Sequence, residues 1–228
     1  MITAVGVVVP ARDEQHLIEP CLRALRHALA RLPASVERWV CVVADRCSDD
    51  TAVRARSADR VVVTRRPLTI GEVRDLGWHA VRAAFTGHAA ADTVLLNTDA
   101  DTEVDVNWAA AHLRRVERDA HAVTGPAELA APVPGPPDAA ARYHAMLTGG
   151  PNVYGANLGV RADAFEAVGG FGVRRTGEDH DLWRRLGAAG FRCRVEPAAV
   201  VRTSARLDGR APDGLAALLR DLREKPVA

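Results

Sequence analysis

The chain has 228 residues, with 30 lysines and arginines against 29 aspartates and glutamates, and a formal net charge of +1. This length suits one large domain with a substantial core and is short for two. The balanced charge argues against nucleic-acid or membrane-surface binding through bulk electrostatics. The four cysteines show no CxxC spacing, which predicts free thiols in a reducing, cytoplasmic compartment.

The first half of the chain alternates between strand-like and helix-like segments. Apolar runs predict strands at 4–9, 39–44, 60–64 and 93–97. Helical periodicity and acidic helix starts predict helices at 14–32, 49–57 and 71–85. This alternation predicts a parallel sheet with helices on both faces. The apolar N-terminal segment is followed at once by Pro10 and charged residues, which favours a first strand over a signal peptide.

The second half is less regular. Helices are predicted at 106–118, 139–147 and 212–223, and strands at 120–124, 191–195 and 199–202. The segment 125–138 contains five prolines and two glycines, which predicts a loop or lid. We expect one fused domain, with a nucleotide-binding half at 1–101 and an acceptor-binding half at 102–228. No apolar stretch approaches the length of a membrane span, so we expect no integral membrane segment.

A pair of carboxylates, Asp99 and Asp101, follows the predicted strand at 93–97. In an extended segment, residues i and i+2 point to the same side, and two carboxylates pointing together repel unless a cation lies between them. Carboxylate oxygens suit Mg²⁺ or Mn²⁺, which usually also hold substrate phosphates. The pair therefore predicts a metal–diphosphate site at the mouth of the sheet. A strand-end turn or a helix cap is the structural alternative.

Five segments resemble, in order, the motifs of family 2 glycosyltransferases with the GT-A fold. They are VVVPARDE (7–14), VVADRCSDDT (42–51), NTDAD (97–101), GANLGVR with VGGF (155–161 and 168–171), and GEDHDL (177–182). The resemblance implies a Rossmann-like, mostly parallel central sheet flanked by helices. It also implies an inverting enzyme that takes a sugar from a nucleoside-diphosphate sugar and uses Mg²⁺ or Mn²⁺.

The resemblance places the nucleotide against the first two motifs. Pro10 lacks an N–H and stops strand pairing, which opens the turn through Arg12 to Glu14 that borders the nucleotide. Asp45 would accept a hydrogen bond from a uracil or guanine N–H. The first aspartate of this family motif is replaced by Ala44 in this chain.

The metal and the diphosphate are expected at the third motif. By resemblance, Asp101 is the better direct metal ligand, and Asp99 would contact the metal or the ribose. Some GT-A enzymes place a third ligand, a histidine, after the last strand, and this chain has none there. Arg202 or Arg206 would hold a phosphate instead. Arg74, on the third predicted helix, is a further candidate cation for the diphosphate, with an exposed helix arginine as the alternative.

The fifth motif carries two adjacent acids, Glu178 and Asp179, before an apolar helical face. By resemblance, Asp179 is the general base that removes the acceptor proton, and Glu178 orients the acceptor. Asp181 is a second choice for the base. The structural alternative is a pair of acids at a helix N-terminus, which the helix dipole favours.

The predicted function is metal-dependent transfer, with inversion, from a sugar nucleotide to an acceptor that the sequence does not identify. A UDP-linked donor and a small acceptor are favoured. One alternative is a sugar-phosphate nucleotidyltransferase, although no Gly-rich loop bearing Arg or Lys follows the first strand. The other is a non-catalytic protein that binds nucleotide sugars.

Overall fold

The computed structural model describes residues 1–147, 152–209 and 214–224. The strands are β1 (Ala4–Ala11), β2 (Glu37–Asp45), β3 (Arg60–Thr64), β4 (Thr93–Asn97), β5 (Thr102–Val104), β6 (Ala122–Thr124), β7 (Ala127–Leu129), β8 (Leu158–Arg161), β9 (Cys193–Val195) and β10 (Val201–Thr203). The α-helices are α1 (Ile18–Leu29), α2 (Thr51–Arg54), α3 (Ile70–Ala84), α4 (Trp108–Arg118), α5 (Ala139–Met146), α6 (Ala162–Ala167), α7 (Glu178–Ala188) and α8 (Leu215–Glu224).

The central sheet has seven strands in the order β3-β2-β1-β4-β8-β6-β9. β1 runs parallel to both of its neighbours, β2 and β4, whereas β8 is antiparallel to β4 and β6. The prediction of a mostly parallel sheet flanked by helices is confirmed. The chain places β2 and β3 on one side of β1 and then places β4 on the other side. A crevice therefore opens beyond the carboxyl ends of β1 and β4.

A second, three-stranded sheet has the order β5-β10-β7. β10 runs antiparallel to β5 and parallel to β7. β7 lies inside the segment 125–138, so the prediction of a loop is wrong for Ala127–Leu129. This strand is too short for a visible alternation, and its partner β10 comes more than 70 residues later in the chain.

Two apolar layers cover the two faces of the central sheet. Val5, Val7 and Val9 of β1 belong to the layer that contains α1 and α4. Ala4 and Val8 belong to the opposite layer, which contains α3, α6 and α7. A strand with both faces buried reads as a continuous apolar run, which explains the VGVVV sequence of β1.

The helix α3 lies unusually close to β1 because glycines stand at the contact. A Cβ on Gly77 would lie 2.4 Å from Val8 Cγ1, and a Cβ on Gly6 would overlap Val81 Cγ1. The helix begins at a capping box, in which Thr69 Oγ1 accepts from the Glu72 N–H and the Glu72 carboxylate accepts from the Thr69 N–H. These contacts fix the start of α3 at the carboxyl edge of the sheet.

Several long elements agree closely with the predictions, whereas α1 is shorter than predicted, at Ile18–Leu29 instead of 14–32. β3 and β4 have the predicted bounds, and α3 differs by one residue at each end. β5, β8 and α6 were not predicted. The terminal helix predicted at 212–223 is α8, and residues 212 and 213 lie outside the described residues. Within the described ranges, no helix is long and apolar enough to cross a membrane.

Candidate active site

A cleft of about 510 Å³ lies at the carboxyl ends of β1, β2 and β4. Most side chains predicted for the site line this cleft, whereas Asp181 and Arg202 do not. Those that line it are Pro10, Arg12, Glu14, Asp45, Arg74, Asp99, Asp101, Glu178, Asp179 and Arg206.

The segment that carries Asp99 and Asp101 is a turn. The Thr102 N–H donates to the Asp99 carbonyl oxygen at 3.1 Å, and Ala100 and Asp101 lie between them. The expectation of an extended segment is therefore wrong, although both carboxylates still line the same cleft. Each carboxylate meets its own arginine: Arg74 Nη2 donates to Asp99 Oδ1 at 2.8 Å, and Arg206 Nη2 lies 2.9 Å from Asp101 Oδ2.

Asp101 is in an environment that disfavours its charge. Burial raises its pKa to about 6, the negative charge of Asp99 adds to this increase, and Arg206 opposes it. Glu14 is another carboxylate at this point, since Arg206 bridges it to Asp101. Hard carboxylate oxygens in excess over nearby cations fit Mg²⁺ or Mn²⁺, so the residues present suit the predicted metal.

Arg74 is buried, which contradicts the alternative of an exposed helix arginine. It is 3% exposed, and its Nε lies 3.4 Å from Glu178 Oε1 while its Nη2 holds Asp99. Its Nη1 is buried and has no hydrogen-bond partner among the described residues. Arg74 thus connects the turn after β4 to the start of α7, and its remaining donor is unused.

Glu178 and Asp179 begin α7, directly after Gly177, which has a left-handed φ of 73°. Burial raises the pKa of Glu178, Arg74 opposes this increase, and Asp179 adds to it. Asp179 Oδ2 accepts from the Gly155 N–H at 2.8 Å, and its Oδ1 accepts from the His180 N–H at 2.7 Å. Two backbone donors therefore fix the orientation of the Asp179 carboxylate at the cleft.

Asp181 does not line the cleft, so the structure offers no support for it as a substitute base. Arg174, Arg184 and Arg185 all contact its carboxylate, at 3.0, 2.9 and 2.7 Å. The hydrogen bonds from Arg185 and Arg184 hold the pKa of Asp181 at about 2. Arg185 also donates to the carbonyl oxygens of Val168 and Gly170. Asp181 therefore holds Arg185 in the position from which it joins α7 to the VGGF loop.

The nucleotide side of the cleft is built from the ends of β1 and β2. Asp45 is held by Arg46, whose Nε and Nη2 donate to its two oxygens at 3.0 and 3.1 Å. A carboxylate has further lone pairs, so Asp45 can still accept from a base N–H. Arg12 is half-buried, and its Nε has no hydrogen-bond partner within the described ranges. Pro10 is the penultimate residue of β1 and lies opposite Val43 of β2, so the expectation that Pro10 stops strand pairing is wrong for this neighbour; pairing with β4 ends earlier, at Val8.

Arg202 and Arg206 were both predicted to hold a phosphate, but they lie in different places. Arg202 is exposed on β10 and pairs weakly with Glu128, 3.6 Å away, on β7. It does not line the cleft, so the prediction of a phosphate contact finds no support there. Arg206 lines the cleft and contacts Glu14 and Asp101.

Three acidic or thiol side chains of the neighbouring loops also lie close together: Asp13, Cys47 and Asp49 bring ligand atoms within 4.8 Å of one another. The hydrogen bonds of the two acids are typical of loop connections. Asp13 Oδ1 accepts from the Ser48 N–H, and Asp49 Oδ1 accepts from the Thr51 N–H. This cluster holds the β2–α2 loop against the β1–α1 loop.

Sequence reasoning missed three residues that shape the cleft. Gly155 donates to Asp179, and a Cβ on Gly155 would lie 2.4 Å from Arg74 Nη2, so a larger residue there would have to displace the guanidinium of Arg74. Tyr143 and Tyr154 also line the cleft. The resemblance marked the segment 155–161 as acceptor-side, which is the only sequence signal that pointed there; nothing in the sequence marked Tyr143.

Comparisons with known proteins agree with this architecture. Residues 6–175 match glycosyl transferase family 2, and residues 139–221 match glycosyl transferase family group 2. The first match covers most of the chain and includes the strand ends and the turn that form the nucleotide side of the cleft. The chain belongs to glycosyltransferase family 2. No curated protein sequence matches it.

Three solved structures are similar to this chain. A mannosyltransferase from Pyrobaculum calidifontis has a TM-score of 0.64 at 18% identity over 95% of this chain and 68% of its own. TarS from S. aureus has 0.63 at 14% identity over 97% and 65%. Glucosyl-3-phosphoglycerate synthase from Mycobacterium tuberculosis has 0.57 at 18% identity over 96% and 75%. The predicted GT-A fold is confirmed, and the chain spans about two thirds of the length of the first two structures.

Proposed function

We propose that this chain is a metal-dependent, inverting glycosyltransferase that uses a nucleoside-diphosphate sugar as donor. One observation carries the proposal. Arg74 contacts Asp99 on the turn after β4 and Glu178 at the start of α7, so one cleft combines the carboxylate turn with Asp179. A donor diphosphate at the turn would place its sugar toward Asp179.

In this mechanism Asp179 accepts the proton of the acceptor hydroxyl. The hydroxyl oxygen forms a bond to the anomeric carbon, and the bond from that carbon to the diphosphate oxygen breaks. The nucleoside diphosphate leaves with the electron pair, and a single displacement inverts the anomeric configuration. Mg²⁺ or Mn²⁺ bound by Asp101, with Asp99 beside it, would neutralise charge on the leaving diphosphate. The backbone contacts from Gly155 and His180 keep the Asp179 carboxylate in place.

The ligands of the similar structures support the donor class. The Pyrobaculum mannosyltransferase was solved with GDP-Man and Mn²⁺, TarS with UDP-GlcNAc, and the mycobacterial synthase with UDP and Mn²⁺. Both uracil and guanine nucleotides occur among them. We propose a UDP-linked donor for this chain, with Pro10, Arg12, Glu14, Asp45 and Arg74 on the nucleotide side.

The direct test is a thermal-shift screen of UDP, GDP and dTDP, each with and without Mn²⁺. A ligand that binds the folded state raises the melting temperature by mass action, so UDP with Mn²⁺ should give the largest increase. A larger increase with GDP would reassign the donor base. The absence of any shift with all three nucleotides would contradict the proposal.

We extend the proposal to the organisation of the chain. Residues 1–101 form the nucleotide half and 102–228 the acceptor half of one domain, with a small acceptor near Tyr143 and Tyr154. All four cysteines are unpaired thiols, as predicted, which supports a cytoplasmic location. Family membership favours glycosyl transfer over the nucleotidyltransferase and the non-catalytic alternatives.

A further inference from the structure

The guanidinium of Arg206 lies against the carboxylates that the cleft offers to a cation. Its Nη1 donates to Glu14 Oε2 at 2.8 Å, and its Nη2 is 2.9 Å from Asp101 Oδ2. Glu14 is only 6% exposed, so the forked contact with Arg206 is largely removed from solvent. Arg206 therefore places positive charge on the same carboxylate that we propose as the metal ligand.

The fold holds Arg206 in this position. β10 pairs with β5 so that Thr203 lies opposite Thr102, and their hydroxyl oxygens are 3.0 Å apart. The Ser204 N–H then donates to the Asp101 carbonyl oxygen at 3.1 Å. The backbone that carries Arg206 is thus attached to the carboxylate turn itself. This arrangement distinguishes Arg206 from a long surface side chain that happens to reach an acid.

A divalent cation and Arg206 have opposing demands on Asp101. Arg206 already occupies Asp101 Oδ2, and two cations on one carboxylate repel each other. When Arg206 leaves Asp101, its planar guanidinium is available to bind a phosphate. The two parallel N–H donors of this group, its fork, match phosphate oxygens better than the point charge of a lysine ammonium does. The diphosphate of a nucleotide would supply such a partner within the same cleft.

We propose that Arg206 is a positioning residue that competes with the divalent cation for Asp101 and pairs with the nucleotide diphosphate once the cation has bound. This inference rests on the proposed function. Its thermodynamic consequence is coupling: the nucleotide gives Arg206 a new partner, so the diphosphate should increase the affinity for the cation, and the cation should increase the affinity for the diphosphate by the same factor.

The experiment measures Mn²⁺ binding by electron paramagnetic resonance, with and without UDP, for the wild type and for Arg206→Gln. Without nucleotide, Arg206→Gln should bind Mn²⁺ about tenfold more tightly, because a competing charge a few ångströms from the site is removed. The increase in Mn²⁺ affinity caused by UDP should be smaller in this variant than in the wild type, because only the direct attraction between the cation and the diphosphate remains. UMP lacks the second phosphate. The coupling between Mn²⁺ and UMP should therefore change less in this variant than the coupling between Mn²⁺ and UDP.

Arg202→Gln is the matched control because it removes an arginine of the same strand region that is 71% exposed and lies outside the cleft. Its Mn²⁺ and UDP affinities should equal those of the wild type. Arg206→Lys keeps the charge but loses the fork. In the absence of nucleotide, Arg206→Lys should bind Mn²⁺ with wild-type affinity, and its coupling between Mn²⁺ and UDP should be weaker. This variant tests the role of Arg206 if Arg206→Gln does not fold.

Two results would overturn the inference. A folded Arg206→Gln protein that binds Mn²⁺ with unchanged or lower affinity would show that Arg206 only supports the carboxylates. Unchanged coupling in Arg206→Lys would show that the fork does not meet the diphosphate. If the wild type binds Mn²⁺ and UDP, these results reject only the proposed role of Arg206. If the wild type binds neither ligand, both the role of Arg206 and the proposed function are contradicted.

Discussion

At the scale of single residues, the acids at the ends of β2 and β4 each have a defined arginine. Asp45 is held by Arg46, Asp99 by Arg74, and Asp101 by Arg206. The acids stand out in the sequence because they follow apolar strands. Except for Arg46, the arginines come from distant segments, so their partners could not be assigned before the fold was known.

Arg74→Met should both destabilise the protein and abolish nucleotide binding. It leaves the largely buried Glu178 without its cation, and removing one partner of a buried ion pair costs about 3 kcal/mol. Denaturant titration measures the change in the free energy of unfolding. Arg82→Gln is the control on the same helix: Arg82 pairs with the exposed Glu166, and the loss should stay below about 1 kcal/mol. Equal losses in the two variants would contradict the structural role of Arg74.

Asp179→Asn and Asp181→Asn should have opposite effects. Asp179→Asn keeps the shape and the contact with Gly155 but removes the base, so kcat should fall about a hundredfold or more while the melting temperature stays near that of the wild type. Asp181→Asn weakens the contacts with its arginines and should lower the free energy of unfolding by about 2 kcal/mol, with kcat retained in the folded fraction. A loss of kcat in Asp181→Asn alone would reverse our assignment of the base.

At the scale of secondary-structure elements, the quality of prediction follows element length. β1 to β4 are five to nine residues long and strongly apolar, and the sequence identified all four. β5 and β7 have three residues each and exist because β10 pairs with them. β6, β9 and β10 are equally short, but the sequence identified them through longer predicted strands at 120–124, 191–195 and 199–202. No such longer run marked β5 and β7, whose stability comes from the partner strand.

Gly77→Ala should test how the packing of α3 supports the site. The added methyl group would lie 2.4 Å from Val8 Cγ1, so α3 must move away from β1, which costs about 2 kcal/mol. Because α3 carries Arg74, UDP affinity in the presence of Mn²⁺ should fall as well. Gly87→Ala is the control, since a Cβ there meets nothing within 4 Å. Calorimetric melting and nucleotide titration of both variants test this prediction. Unchanged UDP affinity in folded Gly77→Ala would show that the packing of α3 against β1 does not affect nucleotide binding.

At the scale of the whole molecule, Asn157 connects parts that lie far apart in sequence. Its Oδ1 accepts from Trp108 Nε1 at 2.8 Å and lies 3.0 Å from His112 Nε2, both on α4. Its Nδ2 donates to the carbonyl oxygens of Pro126 and Ala199, which precede β7 and β10. This buried amide joins the central sheet, α4 and the small sheet that carries Arg206 toward the cleft.

This connection should make the stability of the protein dependent on pH. Burial lowers the pKa of His112 to about 4, and the hydrogen bond with Asn157 opposes this decrease only in part. The unfolded imidazole takes up its proton near pH 6.5, so between pH 6.5 and 4 the unfolded state binds more protons than the folded state. Stability is therefore lost as the pH falls through this window, by up to about 3 kcal/mol.

The measurement is denaturant unfolding between pH 7 and 4 for the wild type, His112→Gln and His27→Gln. The decrease over this range should be smaller in His112→Gln by the contribution of that imidazole. His27 is exposed on α1, so His27→Gln should follow the wild-type curve. Parallel curves for all three proteins would show that His112 does not control the acid sensitivity.

The sequence by itself determined the mostly parallel sheet, the long elements and the carboxylates at the strand ends, because apolar periodicity and strand-end position are local properties. The tertiary structure decided the rest. It showed that Asp99 and Asp101 occupy a turn, that Asp181 serves the packing of α7, and that Arg74 and Arg206 reach the acids of the cleft. These facts depend on pairings between distant segments, above all β5 with β10 and α3 with β1, which no local pattern encodes.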